Sequence, residues 1–149
     1  MALVLALVLG PPSEEVTRAT YKEAVEPICR ANTEANERIL AGVRGEVKRG
    51  RLGPAAKRFE RAATALRGTL GELRKIPRPA ADRARLSRWL GFVADEVELL
   101  RRTAGYLAAR QKGAAEGMVV RLKSVASRAN NAVFAFEFEY CRFDPARYT

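Results

Sequence analysis

Residues 86–107 read LSRWLGFVADEVELLRRTAGYL. Leu86, Trp89, Val93, Val97, Leu100, Ala104 and Leu107 recur at intervals of three and four. That spacing places them along one side of a helix with 3.6 residues per turn. Three further stretches carry the same period. One runs from about Val16 to Arg49, with Tyr21, Val25, Ile28, Asn32, Ala35, Ile39, Val43 and Val47 on its stripe and Pro27 as a possible kink or restart. A second enters through Gly53-Pro54, carries Phe59, Ala62, Leu66, Leu70 and Leu73, and stops by Pro77. The last starts near Gly113 and carries Met118, Leu122, Val125, Ala129 and Ala132. Links between them are short, so neighbours are expected to run antiparallel. The expected fold is all-α, an up-down-up-down four-helix bundle over residues 13–149.

The period changes after Ala132. Phe134, Phe136, Phe138 and Tyr140 alternate with Ala135, Glu137 and Glu139, a repeat of two. A lone strand has nothing to pair with in such a chain. The stretch is therefore expected to be an extended strap over the bundle, or a helix end that unwinds near Phe136. This choice decides whether the two cysteines, Cys29 and Cys141, can meet. Laid antiparallel with Lys48 level with Ala114, the first and last helices set Asn130 opposite Asn32 and Val133 opposite Cys29. On a continued helix Cys141 overshoots Cys29 by about 12 Å. A disulfide needs Cα atoms roughly 4.4–6.8 Å apart. A bridge therefore requires the chain to turn back after about Phe136; two buried free thiols are the alternative.

The 149 residues suit one domain. There is no histidine, which removes most zinc sites, His-based triads and neutral-pH proton shuttles. No glycine-rich loop follows a strand, and no nucleophile sits in a recognisable setting. Carboxylates such as Glu34/Glu37 and Asp95/Glu98 stand at helical spacing and are read as solvated charges. No catalytic residue, cofactor or metal site is expected, and the chain is read as non-enzymatic.

Ala2–Leu9 are uninterrupted Ala, Leu and Val ahead of Gly10-Pro11-Pro12. Eight residues are too few to span a bilayer core, which takes about 20, but they match the apolar region of a signal peptide. Residues 1–12 are read as an export signal, or as an anchor if uncut, although no Lys or Arg precedes the run. Export to an oxidising compartment makes pairing the expected fate of two lone cysteines.

The net charge of +10 lies wholly in residues 44–88, where 14 basic residues face 4 acidic ones. Such asymmetry points to an anionic partner: nucleic acid, lipid headgroups or an acidic wall polymer. Arg44, Lys48, Arg49, Arg51, Lys57, Arg61 and Lys75 are the contact candidates; a plain solvated Arg-rich face is the alternative. Aromatic side chains for base stacking are missing there, which disfavours sequence-specific nucleic-acid reading. The four asparagines, Asn32, Asn36, Asn130 and Asn131, fall at matching levels of the first and last helices. They are read as a buried polar cluster that fixes helix register, or as a small-ligand site.

Two resemblances follow from short motifs. Trp89-Leu90-Gly91 with Tyr140-x-x-x-Asp144 is similar to the marks of small helical substrates of the type VII secretion system, in which W-x-G occupies the turn of a helical hairpin. Tyr21-x-x-Ala24-x-x-x-Ile28-Cys29, Trp89-Leu90 and the single late Cys141 resemble a group of small exported two-cysteine helical proteins of high-GC actinobacteria, over about residues 17–143. That second resemblance implies an envelope or extracellular location and a Cys29–Cys141 bridge, and it carries over no catalytic or binding residue.

Overall fold

A computed structural model describes residues 15–147. The apolar stretch Ala2–Leu9, read above as an export signal, lies outside them. Among the described residues the chain is all-helical, with no strand: α1 (Arg18–Leu40), α2 (Val43–Lys48), α3 (Leu52–Leu73), α4 (Arg83–Ala108) and α5 (Lys112–Ala132), with 3₁₀ turns at Ala80–Asp82, Phe134–Phe136 and Pro145–Arg147.

The helices α3, α4 and α5 follow their stripes, whereas α1 does so only at Tyr21 and Val25; further along it buries Cys29, Asn36 and Leu40, one residue on from the expected Ile28, Ala35 and Ile39, which are half-buried. Phe59, Ala62, Leu66, Leu70 and Leu73 of α3 and all seven stripe residues of α4 are buried. Met118, Leu122, Val125 and Ala129 of α5 close over them. At roughly 1.5–3 kcal/mol per large apolar side chain, these stripes dominate the stability of the fold. The helix α4 packs most extensively, lying against both α3 and α5, while α1 packs mainly on α3.

The expected helix over 16–49 is in fact two. Pro27 sits on the exposed side of α1 and the helix runs through it. The break comes instead at Ala41-Gly42, where Gly42 takes φ 76°, a left-handed conformation that costs glycine little. The turn keeps Leu40 and Val43 in the core on either side of it. Arg58 of α3 clamps it, donating to the Ile39 carbonyl at 3.0 Å and lying 3.1 Å from Glu46 of α2. At the start of α1, Thr17 and Thr20 cap one another reciprocally. Nearby, Arg18 donates two hydrogen bonds to Asp82, at 2.6 and 2.7 Å, joining α1 to the start of α4. That guanidinium holds the Asp82 carboxyl below the usual carboxylate range.

After Ala132 the helix gives way to a 3₁₀ turn, and Glu137 at φ 52° reverses the chain. The strap that follows is fixed to α1 by specific bonds. The Glu26 carboxylate accepts the backbone N–H groups of Glu139 and Tyr140 at 2.6 and 2.9 Å. Lys22 donates to the Glu137 carbonyl at 2.6 Å, and Thr33 to the Tyr140 carbonyl at 3.3 Å. On the α5 side, Asn130 donates to the Phe143 carbonyl at 3.0 Å. The alternating-aromatic expectation holds only at its centre. Phe136 and Phe138 are buried and pack on Tyr21 and Trp89, with ring centroids 6.1 and 5.7 Å apart. Phe134 is 73% exposed because the 3₁₀ turn carries it outward. The reversal brings Cys141 to Cys29 as a disulfide, with a Cα–Cα distance of 4.9 Å.

Candidate functional site

Two places collect the residues singled out from the sequence. The first is interior. Asn32, Thr33, Thr69, Glu96 and Asn130 line a cavity of about 40 Å³ beside the Cys29–Cys141 bridge. Glu96 Oε1, Asn32 Oδ1 and Asn130 Oδ1 have no protein partner there. Burial pushes the Glu96 carboxyl up to about 8, and neighbouring Asp95 adds to the rise. The group is therefore largely neutral at pH 7. A water needs roughly 10–15 Å³ of such space, so the cavity takes two or three waters. It is far below the roughly 300–1,000 Å³ of small-molecule sites. This cavity alone is too small for an organic ligand, because Asn36 and Asn130 also line a neighbouring polar cleft of about 570 Å³ with Arg30, Glu37 and Arg147.

The asparagine cluster is only partly assembled. Asn32 and Asn130 share the cavity. Asn36 is buried with neither amide atom bonded, and Asn131 is exposed. Asn131 follows Asn130 by one residue, and one step around a helix turns a side chain about 100° away from its neighbour. Glu96 was missed by the sequence reading, yet it stands three residues after Val93 and seven after Trp89, on the α4 stripe.

The second place is the region where α2, the start of α3, the end of α4 and the start of α5 meet. Arg44, Lys48, Arg49, Arg51, Lys57 and Arg61 are all exposed, but only Arg44 and Lys48 line the groove found here; Lys57 and Arg61 stand two residues either side of the groove residue Phe59, on the far side of α3. Lys75 is exposed too, but it follows the end of α3 and stands about 20 Å along the axis from Arg61. The seven candidate cations therefore form no single patch. A groove of about 350 Å³ opens beside α2. Its floor is apolar: Val43, Val47, Phe59, Leu107, Ala115 and Val119. Arg44 and Lys48 of α2 stand around it with Lys112 and Lys123 of α5, and Glu116 pairs with Lys112 at 3.8 Å. The sequence did not disclose this groove, because α2 and α5 are far apart in the chain and the 44–88 segment excludes both α5 lysines.

Trp89-Leu90-Gly91 lies inside α4, with Trp89 buried on the Phe138 ring. It is not in a helical turn, where type VII secretion substrates carry their W-x-G. Among the described residues no helix is long and apolar enough to cross a membrane, and no His, Cys, Asp and Glu group is placed to hold a metal ion. Comparison with family models, with curated proteins and with solved structures found no match. The arrangement can screen and concentrate anionic groups against an apolar slot.

Proposed function

We propose that the chain is a non-enzymatic, exported helical module of the cell envelope that binds anionic lipid surfaces through the basic region around α2. The observation that carries this reading is the meeting of exposed cations from α2 and α5, Arg44 and Lys48 with Lys112 and Lys123, around an apolar groove. The long-range Cys29–Cys141 bridge supports an oxidising compartment, in keeping with the apolar N-terminal run. The same reading takes α1, α3, α4 and α5 as an up-down-up-down bundle with α2 turning its first corner. The short links and the packing of α4 on both α3 and α5 support it. Nucleic acid fits less well, because the ring in the groove's lining, Phe59, is buried and offers bases no open face to stack on.

Sedimentation with vesicles containing phosphatidylglycerol tests the proposal. Each cation near an anionic surface contributes about 1 kcal/mol. Changing Lys48, Lys112 and Lys123 together to Gln should therefore weaken binding roughly a hundredfold, and added salt should weaken the unaltered chain. Lys75→Gln should change little. Absence of binding at low salt would overturn the proposal, and tighter binding to duplex DNA than to vesicles would move it to nucleic acid.

A further inference from the structure

The groove beside α2 has features that a flat polyanion site does not need. Its floor is made of aliphatic and aromatic side chains from four helices. The one buried hydroxyl there, on Thr103, already donates to the Leu99 carbonyl at 2.8 Å, so the floor presents no unmet hydrogen-bonding demand. The cations stand around the floor and not on it. Val120, 68% exposed, lies among the lining residues. The volume, about 350 Å³, falls within the roughly 300–1,000 Å³ of small-molecule sites.

We infer that this groove takes the hydrocarbon chain of a single-chain anionic amphiphile, a fatty acid or lysophospholipid, with its headgroup held among Lys48, Lys112 and Lys123. The inference rests on the reading that this region meets anionic lipid, and it names the part of the lipid that enters. Charge complementarity selects the occupant. An apolar slot lined by Arg44, Lys48, Lys112 and Lys123 against the single carboxylate of Glu116, which pairs with Lys112, keeps a net positive rim and favours an apolar tail that ends in a carboxylate or phosphate. A second copy of this chain fits poorly, since a symmetric contact sets the same cations against each other. A neutral apolar ligand would use the floor and leave the lysine ring without a role.

Titration calorimetry on the full, oxidised chain tests this with decanoate, dodecanoate, lauroyl lysophosphatidylglycerol and dodecyltrimethylammonium, each below its micelle concentration. One dodecanoate per chain is expected. Affinity should rise about fourfold per added methylene while the tail still gains buried surface. The cationic amphiphile should bind at least tenfold more weakly. Lys48→Gln with Lys123→Gln should cost about tenfold, and Val119→Phe should block the groove while leaving helical circular dichroism unchanged. Preference between dodecanoate and the lysolipid tells a free fatty acid from a membrane-derived source. Equal binding of the cationic amphiphile, or binding untouched by Val119→Phe, overturns the inference. So does a dimer that Val119→Lys dissociates. If vesicles bind and no single-chain amphiphile does, the groove assignment falls and the surface reading stands. If neither binds, both fall.

Discussion

Around the strap, most charges and chain reversals are tied down. Arg18 grips Asp82 through two hydrogen bonds, Glu26 holds two backbone amides, and a disulfide closes over the Trp89–Phe138 contact. Around α2 no covalent staple is present among the described residues, and the ties are ion pairs and one clamp. Lys48 and Lys123 line an apolar groove, a six-residue helix turns the corner through a left-handed glycine, and Arg58 is the main clamp. Proteins place binding surfaces where local stability is low and rigid scaffolding where it is high. The contrast assigns the strap half to holding shape and the α2 region to contact with a partner.

The largest test of that contrast removes the staple. Cys29→Ala with Cys141→Ala should lower unfolding free energy by about 5 kcal/mol, because the bridge closes a loop of 112 residues' separation. Urea denaturation gives the number. Binding of anionic vesicles should survive wherever the variant remains folded; joint loss of both would erase the contrast.

The next test is pH. The folded carboxyl of Glu96 titrates near 8, against about 4.5 when solvated. Folding therefore favours its protonated form. Its stabilisation is complete below about pH 4.5 and is lost as pH climbs through 8, on the order of 5 kcal/mol in all. Glu96→Gln should flatten this dependence in denaturation curves taken from pH 5 to 9. An unchanged slope would show that another group carries the titration.

At the α2 turn, Arg58→Ala strips the Ile39 carbonyl and the buried Glu46 of their common partner. A loss of about 2 kcal/mol follows. Amide exchange should quicken in 39–48 more than in the strap; uniform quickening would mean that α2 is not a separate unit. The smallest effect belongs to Asn36, buried with both amide atoms unpartnered. Asn36→Leu should raise stability by about 1 kcal/mol, a Tm gain of roughly 3 °C. A fall would show that the amide has a partner in solution.

The helices were legible because α3, α4 and α5 bury what their periods mark, from Phe59 to Leu73, Leu86 to Leu107 and Met118 to Ala129. The break before α2 was not, since Ile39, Val43 and Val47 keep a helical spacing across Gly42, and only the backbone conformation reveals the turn. Whether Cys141 reaches Cys29 depended on one reversal at Glu137, a residue type that does not announce a positive φ. Glu96 escaped because acidic residues on helices are usually solvated, and its burial follows from its place on the inward side of α4 with Trp89, Val93 and Leu100. Four of the seven candidate cations, Arg44 through Arg51, cluster by sequence as well as in space. The groove beside them needed α5, which only the tertiary structure supplies.

Hydrogen exchange with and without phosphatidylglycerol vesicles tests the division of the molecule most directly. The account expects new protection in 43–61 and 112–123, with the strap at 133–147 and the first turns of α1 unchanged. Protection centred on the strap, or spread evenly over all the helices, would contradict it.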